Sequence, residues 1–232
     1  QQYIANYTFS LNDIHHFDAT LGYDGYTYRY ENVYASGSCL YDPENPFVSN
    51  TINQKNNSGY ADQYATKGVF ARVNYSYDDK YIANVSYRRD GSSRFAPDKR
   101  WGNFWSASAA WLISKEAFMS DVEWVNMLKL KASFGQQGND AIGNYYAWID
   151  QFTVSGANGI FSDGTLAYKG NPDLTWETST SYNIGADFAL FNNKLNGTIE
   201  YFARKSTDML YYKPVAGSLG YTQIPMNVGS MT

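Results

Sequence analysis

The residues of this chain that could take part in chemistry are few, and their spacing suits no known catalytic or metal site. His15 and His16 are adjacent, so on a strand they would point to opposite sides. Cys39 has no histidine near it in sequence, and Asp121 and Glu123 stand in a short connection without a partner base. Gly-rich phosphate loops, nucleophile elbows and zinc-type Cys/His spacings are absent from the sequence. We therefore predict that the protein is not an enzyme and needs neither a cofactor nor a metal.

Composition excludes several other classes of protein. The 18 basic and 22 acidic residues give a net charge of −4, whereas a nucleic-acid binder would carry a basic surface, so we expect no nucleic-acid partner. The longest apolar runs, at 109–113 and 145–149, are far shorter than the ~20 residues of a membrane-spanning helix. Aromatic residues make up 18% of the chain, including 22 tyrosines, which argues against disorder.

Alternation of apolar and polar residues is the dominant pattern and predicts about eight strands. Each strand has one apolar and one mostly polar face. The predicted strands cover residues 3–11, 17–23, 69–77, 81–88, 105–111, 128–134, 182–188 and 195–201.

The connections between these strands alternate between short and long. Tight turns rich in Asn and Asp occupy 12–15, 78–80 and 191–193. The long connections, which we expect to be loops, cover 31–65, 90–100, 136–174 and 206–226. Short periplasmic turns and long external loops are typical of a transmembrane β-barrel. The predicted fold is therefore all-β, an antiparallel transmembrane barrel segment of about eight strands from a larger barrel.

On each strand, the alternate positions that carry apolar residues (the apolar parity) are the ones expected to face lipid. Aromatic residues such as Phe9, Phe17, Tyr77 and Tyr81 lie near the turns, where an interfacial girdle would be. After Tyr23 the alternation shifts by one position, so that Tyr26, Tyr28 and Tyr30 take the other parity. We therefore expect these three tyrosines to lie above the membrane. The predicted lipid-facing residues are Val69, Ala71, Val73, Tyr75, Ala83, Val85, Ile184, Ala186 and Ile199.

Two other architectures also produce alternating strands. One is a soluble carbohydrate-binding β-sandwich, although its strands would average only ~5–6 residues and its core would rarely be so rich in Tyr, Ala and Gly. The other is a small eight-stranded outer-membrane barrel closed on itself.

Ordered motifs lie at 87–95, 100–104 (running to 110–111), 128–135, 138–139, 142–145, 171–177, 190–195 and 201–210. Together these motifs, which cover most of residues 66–232, resemble the SusC-like (SusC/RagA) family of TonB-dependent outer-membrane transporters. Each motif is weak alone, and their order and spacing make the resemblance specific; the first 65 residues match only in strand pattern. Trp105 and Gln137 depart locally from the family pattern, where Pro and Thr are common.

The resemblance implies energy-coupled import of a bulky nutrient, a glycan or a peptide, across the outer membrane of a Gram-negative bacterium. It implies a SusD-like surface lipoprotein as a lid, TonB acting through a plug region, and outer-membrane lipid around the barrel. We expect residues 1–232 to be a portion of one barrel domain, without the plug, the N-terminal accessory domain or a signal peptide. The candidate contacts with nutrient or lid, which could instead pack loops together, are Tyr26, Tyr28, Tyr30, Arg94, Trp101, Asp140 and Trp148.

Overall fold

The computed structural model describes residues 1–157 and 160–232, and their side chains except those of 54–55, 154–157 and 160–163. Most of the described chain, 69%, is β-strand. These strands are β1 (Gln2–Leu11), β2 (His15–Leu40), β3 (Thr51–Tyr77), β4 (Tyr81–Ser92), β5 (Trp101–Leu112), β6 (Val125–Asn139), β7 (Gln151–Ala157), β8 (Ile160–Tyr168), β9 (Glu177–Leu190), β10 (Leu195–Pro214) and β11 (Gln223–Met231).

Helical structure in the described residues is limited to short 3₁₀ turns. Within that part of the chain, no helix has the length and apolar character needed to cross a membrane. The 3₁₀ turns cover Val48–Asn50, Ile113–Lys115, Ala117–Met119 and Gly217–Leu219.

Nine of the strands form one sheet, in the order β1-β2-β3-β4-β5-β6-β9-β10-β11. β7 and β8 form a separate antiparallel hairpin inserted between β6 and β9. Chain order is kept throughout the sheet, and β1 and β11 stand at its two edges. The sheet is therefore an open antiparallel meander, which confirms the predicted fold class; a barrel closed on itself would pair its first strand with its last.

The chain divides into two compact units. One comprises residues 1–26 and 66–232 and contains most of the sheet. The other, residues 27–65, consists of the end of β2, the turn at Val48–Asn50 and the start of β3.

The tight turns adopt a left-handed backbone that their residue types tolerate. Asn12 and Asp13 have φ of 53° and 55°, and Asp78 and Asp79 both have φ of 49°. Asn and Asp enter this region more easily than other non-glycine residues. Each turn thus reverses the chain within a few residues and sets the register of its hairpin.

Several segments predicted as loops are strands instead. β2 and β3 extend through most of 31–65, β10 continues to Pro214, and β7 and β8 lie within 136–174. The prediction was wrong because alternation reveals a strand only where one face is apolar. In the parts of β2 and β3 within 31–65, and in 206–214 of β10, polar residues occupy both faces, so the hydrogen-bonded ladder continues there without an alternation of apolar and polar residues.

The buried apolar side chains lie mostly in the connections rather than in the sheet. Phe95, Ala147 and Leu174 are fully buried, and all three lie in long connections. On the apolar face of the sheet, by contrast, Ile184 is 66% exposed and Ile199 is 70% exposed. A β-sandwich would cover that face with a second sheet, so the arrangement does not favour the sandwich alternative.

Candidate functional site

The apolar face of the sheet continues from strand to strand, because strand pairing places the apolar residues of neighbouring strands opposite each other. Val73 lies directly opposite Val85, and Tyr75 lies opposite Ala83. The other predicted lipid-facing residues keep the same parity: Val69 and Ala71 on β3, and Ile184, Ala186 and Ile199 on β9 and β10. The structure therefore brings all nine predicted residues onto one face.

The opposite face carries a ladder of polar side chains across four consecutive strands. Asp18 on β2 accepts hydrogen bonds from Thr8 on β1 and from Asn74 on β3, each at 3.0 Å. Asn84 on β4 donates to the Asn74 side-chain oxygen. These hydrogen bonds join β1, β2, β3 and β4 through polar side chains on this face.

A second polar group joins β6, β9 and β10 on the same face. Lys131 Nζ lies 2.9 Å from Asp187 Oδ1 and 3.8 Å from Glu200 Oε2, and Lys129 Nζ lies 3.9 Å from Asp187 Oδ2. Thr198 donates a 2.9 Å hydrogen bond to Asp187. The two lysines and the two carboxylates of this group carry equal and opposite charges.

Arg88 is the centre of a third group, nearer the long connections. Its guanidinium contacts Asp90 on its own strand at 2.6 Å and Asp24 on β2 at 2.9 Å, and it lies 5.5 Å from the Phe70 ring centroid. Sequence reasoning did not single out this group, although Arg88 and Asp90 belong to the 87–95 motif. The contact with Asp24 depends on the pairing of distant strands, which the sequence pattern does not specify.

Two of the candidate contact residues, Arg94 and Asp140, bind each other. Arg94 Nη1 lies 3.3 Å from Asp140 Oδ1, and their side chains are 16% and 15% exposed. Ser92 donates a 2.6 Å hydrogen bond to the other Asp140 oxygen, and the Arg94 guanidinium lies 5.1 Å from the Tyr145 ring centroid. The pair therefore joins two long connections, a role that the sequence left open for these residues.

An apolar core lies beside this pair and holds the long connections together. It contains the buried residues Phe95, Ile142, Ala147 and Leu174, against which Trp176, Leu210 and Tyr212 pack. Hydrogen bonds reinforce it: the Trp176 indole donates to the Arg100 carbonyl at 2.9 Å, and the Tyr212 hydroxyl donates to the Ile142 carbonyl at 2.9 Å. We call this assembly the loop core.

The remaining candidate contacts are not gathered at a single point. Trp101 is 44% exposed, has the parity of the apolar face, and lies 5.3 Å from the Arg89 guanidinium. Trp148 is half-buried and follows the core residue Ala147. Tyr26 is 55% exposed, and its position two residues after Asp24 places it on the polar face of β2.

Tyr28 and Tyr30 belong to the unit formed by residues 27–65. Within that unit the Tyr30 and Tyr60 rings are 5.8 Å apart. Tyr60 is exposed, and its pKa is raised, chiefly by the neighbouring Tyr30 hydroxyl. The two rings thus contact each other across the β2–β3 ribbon.

A carboxylate anchors the aromatic rings at the end of the sheet that carries the tight turns. Glu116 Oε1 accepts hydrogen bonds from the Tyr81 hydroxyl at 2.6 Å and from the Trp111 indole at 2.9 Å. These two donors hold the pKa of Glu116 below its usual range. The Tyr81 and Trp111 rings are stacked 6.2 Å apart on the apolar face.

At the opposite end, an ion pair closes the base of the β7–β8 hairpin. Lys169 Nζ lies 2.8 Å from Asp150 Oδ2, and the Gly170 N–H donates to Asp150 Oδ1 at 2.8 Å. Both contacts lower the pKa of Asp150, the lysine more than the backbone amide, while the carboxylate raises the pKa of Lys169.

Residues 1–157 and 160–232 contain no group of three or more His, Cys, Asp or Glu side chains that could hold a metal ion. Cys39 is exposed and is not part of a disulfide. The arrangement therefore offers a wall with one apolar and one polar face, together with a packed loop region.

Comparison with known proteins agrees with this two-faced wall. A family model described as TonB dependent receptor-like, beta-barrel matches residues 1–232. TonB-dependent receptor P39 of Formosa agariphila is 33% identical over 97% of this chain and 22% of its own length. TonB-dependent receptor SusC of Bacteroides thetaiotaomicron is 33% identical over 75% of this chain and 18% of its own length. The chain thus spans about a fifth of the length of these curated relatives.

Solved structures show the same likeness. The structure of the RagAB peptide transporter matches with a TM-score of 0.89 and 28% identity, over 99% of this chain and 26% of that chain. The siderophore receptor PirA from Acinetobacter baumannii matches with a TM-score of 0.60 at 15% identity, over 99% of this chain and 32% of that chain, which shows the fold alone.

Proposed function

This chain belongs to the TonB-dependent receptor-like β-barrel family, and from this premise we propose that it forms part of the barrel wall of an energy-coupled nutrient importer. Members of the family are outer-membrane β-barrel proteins of Gram-negative bacteria, and the chain shares that location. The family is one of transporters and receptors rather than a class of enzymes, and we propose that the chain performs no covalent chemistry.

The proposed cargo is a bulky nutrient, an oligopeptide or an oligosaccharide. The observation that carries this proposal is the RagAB likeness, which extends over 99% of the chain at a TM-score of 0.89. RagAB is a peptide transporter, and its barrel chain is SusC-like. A peptide and a glycan both present many hydrogen-bonding groups, which suits a wall lined with Asn, Ser and Thr.

The proposed partners are a SusD-like surface lipoprotein acting as a lid and TonB acting through a plug region. All 232 residues are proposed to belong to one barrel domain whose other strands pair with the edges of β1 and β11. In this arrangement the polar ladder at Asp18 and Asn74 lines the interior, while the face of Val73 and Val85 meets outer-membrane lipid.

The proposed contacts with nutrient or lid are the seven residues predicted from sequence. The buried pair Arg94 and Asp140 supports an indirect role, in which it holds the loops that present Trp148. Tyr26, Tyr28, Tyr30 and Trp101 offer exposed or half-buried rings, on which a sugar or a peptide side chain can stack.

Growth of the source bacterium tests the proposed function. Cells lacking the gene are compared with the parent strain on oligopeptides, on oligosaccharides and on the corresponding monomers. We expect growth on one oligomer class to be lost and growth on its monomer to be retained, because small monomers do not need a large gated barrel. Equal growth of both strains on every oligomer would contradict the proposal.

A pull-down tests the proposed partner separately. The full-length protein, extracted in detergent, is expected to retain a surface lipoprotein, and its extraction from membranes should require detergent. Recovery of the protein in the aqueous fraction would contradict the barrel placement itself.

A further inference from the structure

The apolar face of the sheet contains a groove with a floor of alanines. Ala83, Ala109 and Ala132 lie directly opposite one another on β4, β5 and β6, and Ala107 adjoins them on β5. Two open depressions of about 370 Å³ and 450 Å³ lie over this floor and share Ala109, Ala132 and Ile184 as lining residues. We call this depression the alanine groove.

Larger side chains form the walls of the alanine groove. Tyr81, Trp111 and Leu130 stand on the side nearer the tight turns. Val85, Phe134 and Tyr182 stand on the side nearer the long connections. The difference in height between alanine and these neighbours gives the groove its depth.

The wall rings are held beside the groove by contacts with other side chains. Tyr81 and Trp111 both donate to Glu116, at 2.6 Å and 2.9 Å. Phe134 and Tyr182 contact each other, with ring centroids 5.4 Å apart. The alanine groove is therefore open in this structure, and its wall rings do not fill it.

The chemistry of the groove favours a hydrocarbon occupant. Its lining is almost entirely apolar, so it offers nothing to a polar nutrient, and it is continuous with the face proposed to meet lipid. We propose that one acyl chain of an outer-membrane phospholipid occupies the alanine groove in preference to other positions on that face. Since lipid tails are as apolar as the groove, the preference arises from closer van der Waals packing rather than from hydrophobic transfer.

The inference rests on the proposed lipid-facing assignment, and a cross-linking map separates the two. The full-length protein is reconstituted in bilayers that contain a phospholipid with a photoactivatable group on its acyl chain, and the cross-linked residues are identified by mass spectrometry. We expect labelling around Ala109 and Ala132 to exceed several-fold the labelling around Ala5 and Leu21, which lie opposite each other on the same face of β1 and β2.

A filled groove provides the matched variant. Ala109→Phe combined with Ala132→Phe should reduce labelling at the groove to the level at Ala5, whereas Ala5→Phe should leave groove labelling unchanged. If the double variant does not assemble, the map of the unaltered protein decides alone.

Each result has a distinct meaning. Equal labelling at the groove and at Ala5 would overturn the proposed acyl-chain site and leave the lipid-facing assignment intact. Absence of labelling at both positions would overturn the lipid-facing assignment as well. Cross-linking of a protein segment at Ala109, with no lipid labelling there, would show that a protein and not lipid occupies the groove. That result would overturn the proposal.

Discussion

Arg88 on β4 reaches over the intervening strand β3 to form an ion pair with Asp24 on β2, with a distance of 2.9 Å between Nη2 and Oδ2. The residue beneath this contact is Gly68. A Cβ atom there would come within 2.8 Å of Arg88 Nη2 and 3.0 Å of Asp24 Oδ1. Three strands are thus tied together at a point where only glycine leaves room.

Gly68→Ala is expected to displace the Arg88 guanidinium and break its contact with Asp24. The loss in unfolding free energy should be about 1 kcal/mol or less, because the Arg88 side chain is 42% exposed and water screens the pair. Thermal unfolding of the full-length protein, in a double-mutant cycle with Asp24→Asn, measures the coupling. Gly135→Ala is the control, since a Cβ there has its nearest neighbour at 3.7 Å. If the effects of Gly68→Ala and Asp24→Asn on the unfolding free energy simply add, the predicted link between Gly68 and the ion pair is contradicted.

Arg94→Ala should loosen the loop core without unfolding the barrel. It leaves the carboxylate of Asp140 only 15% exposed and without its cation, which costs about 3 kcal/mol for a largely buried pair. Hydrogen exchange is expected to rise in 140–148 and 92–96, because stability is local to such clusters. Arg29→Ala, which removes an ion pair with side chains 63% and 59% exposed, should change exchange little. Unchanged exchange in both variants would show that the Arg94 pair does not hold the loops.

Val73→Arg should impair assembly into the membrane. An arginine on the lipid face costs about 2–4 kcal/mol near the bilayer midplane, and Val73 lies opposite Val85 in the middle of the β3–β4 ladder. The measurement is the fraction of full-length protein that becomes heat-modifiable in the outer membrane. Ser108→Arg, on the polar face of β5, is expected to assemble normally. Normal assembly of the Val73 variant would mean that the lipid-facing parity is assigned to the wrong face.

The base of the β7–β8 hairpin should loosen in acid. Lys169 and the Gly170 amide lower the pKa of Asp150, so the contact stabilises the folded state above the unfolded pKa of about 3.9. That stabilisation is lost as the pH falls through the lower, folded pKa. Proteolysis of 169–174 is expected to accelerate below about pH 4, and Asp150→Asn should remove this pH dependence. If the Asp150→Asn variant shows the same dependence of proteolysis rate on pH, a group other than Asp150 causes the loosening.

Trp148→Ala should reduce nutrient uptake several-fold while the amount of protein in the membrane stays constant. Trp148 follows the fully buried Ala147, so a rigid loop presents its half-buried ring, and an aromatic ring in such a place contributes strongly to binding. Radiolabelled nutrient uptake by intact cells measures the change. Phe118→Ala, an exposed ring in the short connection after β5, is the control and should leave uptake unchanged. Equal uptake by both variants would remove Trp148 from the contact set.

The sequence alone determined the two-faced strands and the turns between them. Strict alternation in 69–77 and 81–88 reports a local property, since neighbouring side chains on a strand point to opposite faces. The Asn and Asp residues of the tight turns report another local property, their tolerance of positive φ. Both are encoded within a few residues, so the fold class and the set of residues that share the apolar face could be predicted without a structure.

Only the tertiary structure decided how far the strands continue and which distant groups meet. β2 and β3 extend through residues that have no apolar face, because strand pairing supports them there. Arg94 and Asp140 were each singled out from sequence, yet they are 46 residues apart, and only the packing of two long connections shows that they bind each other. The alanine groove likewise exists only because register brings Ala83, Ala109 and Ala132 side by side on three strands.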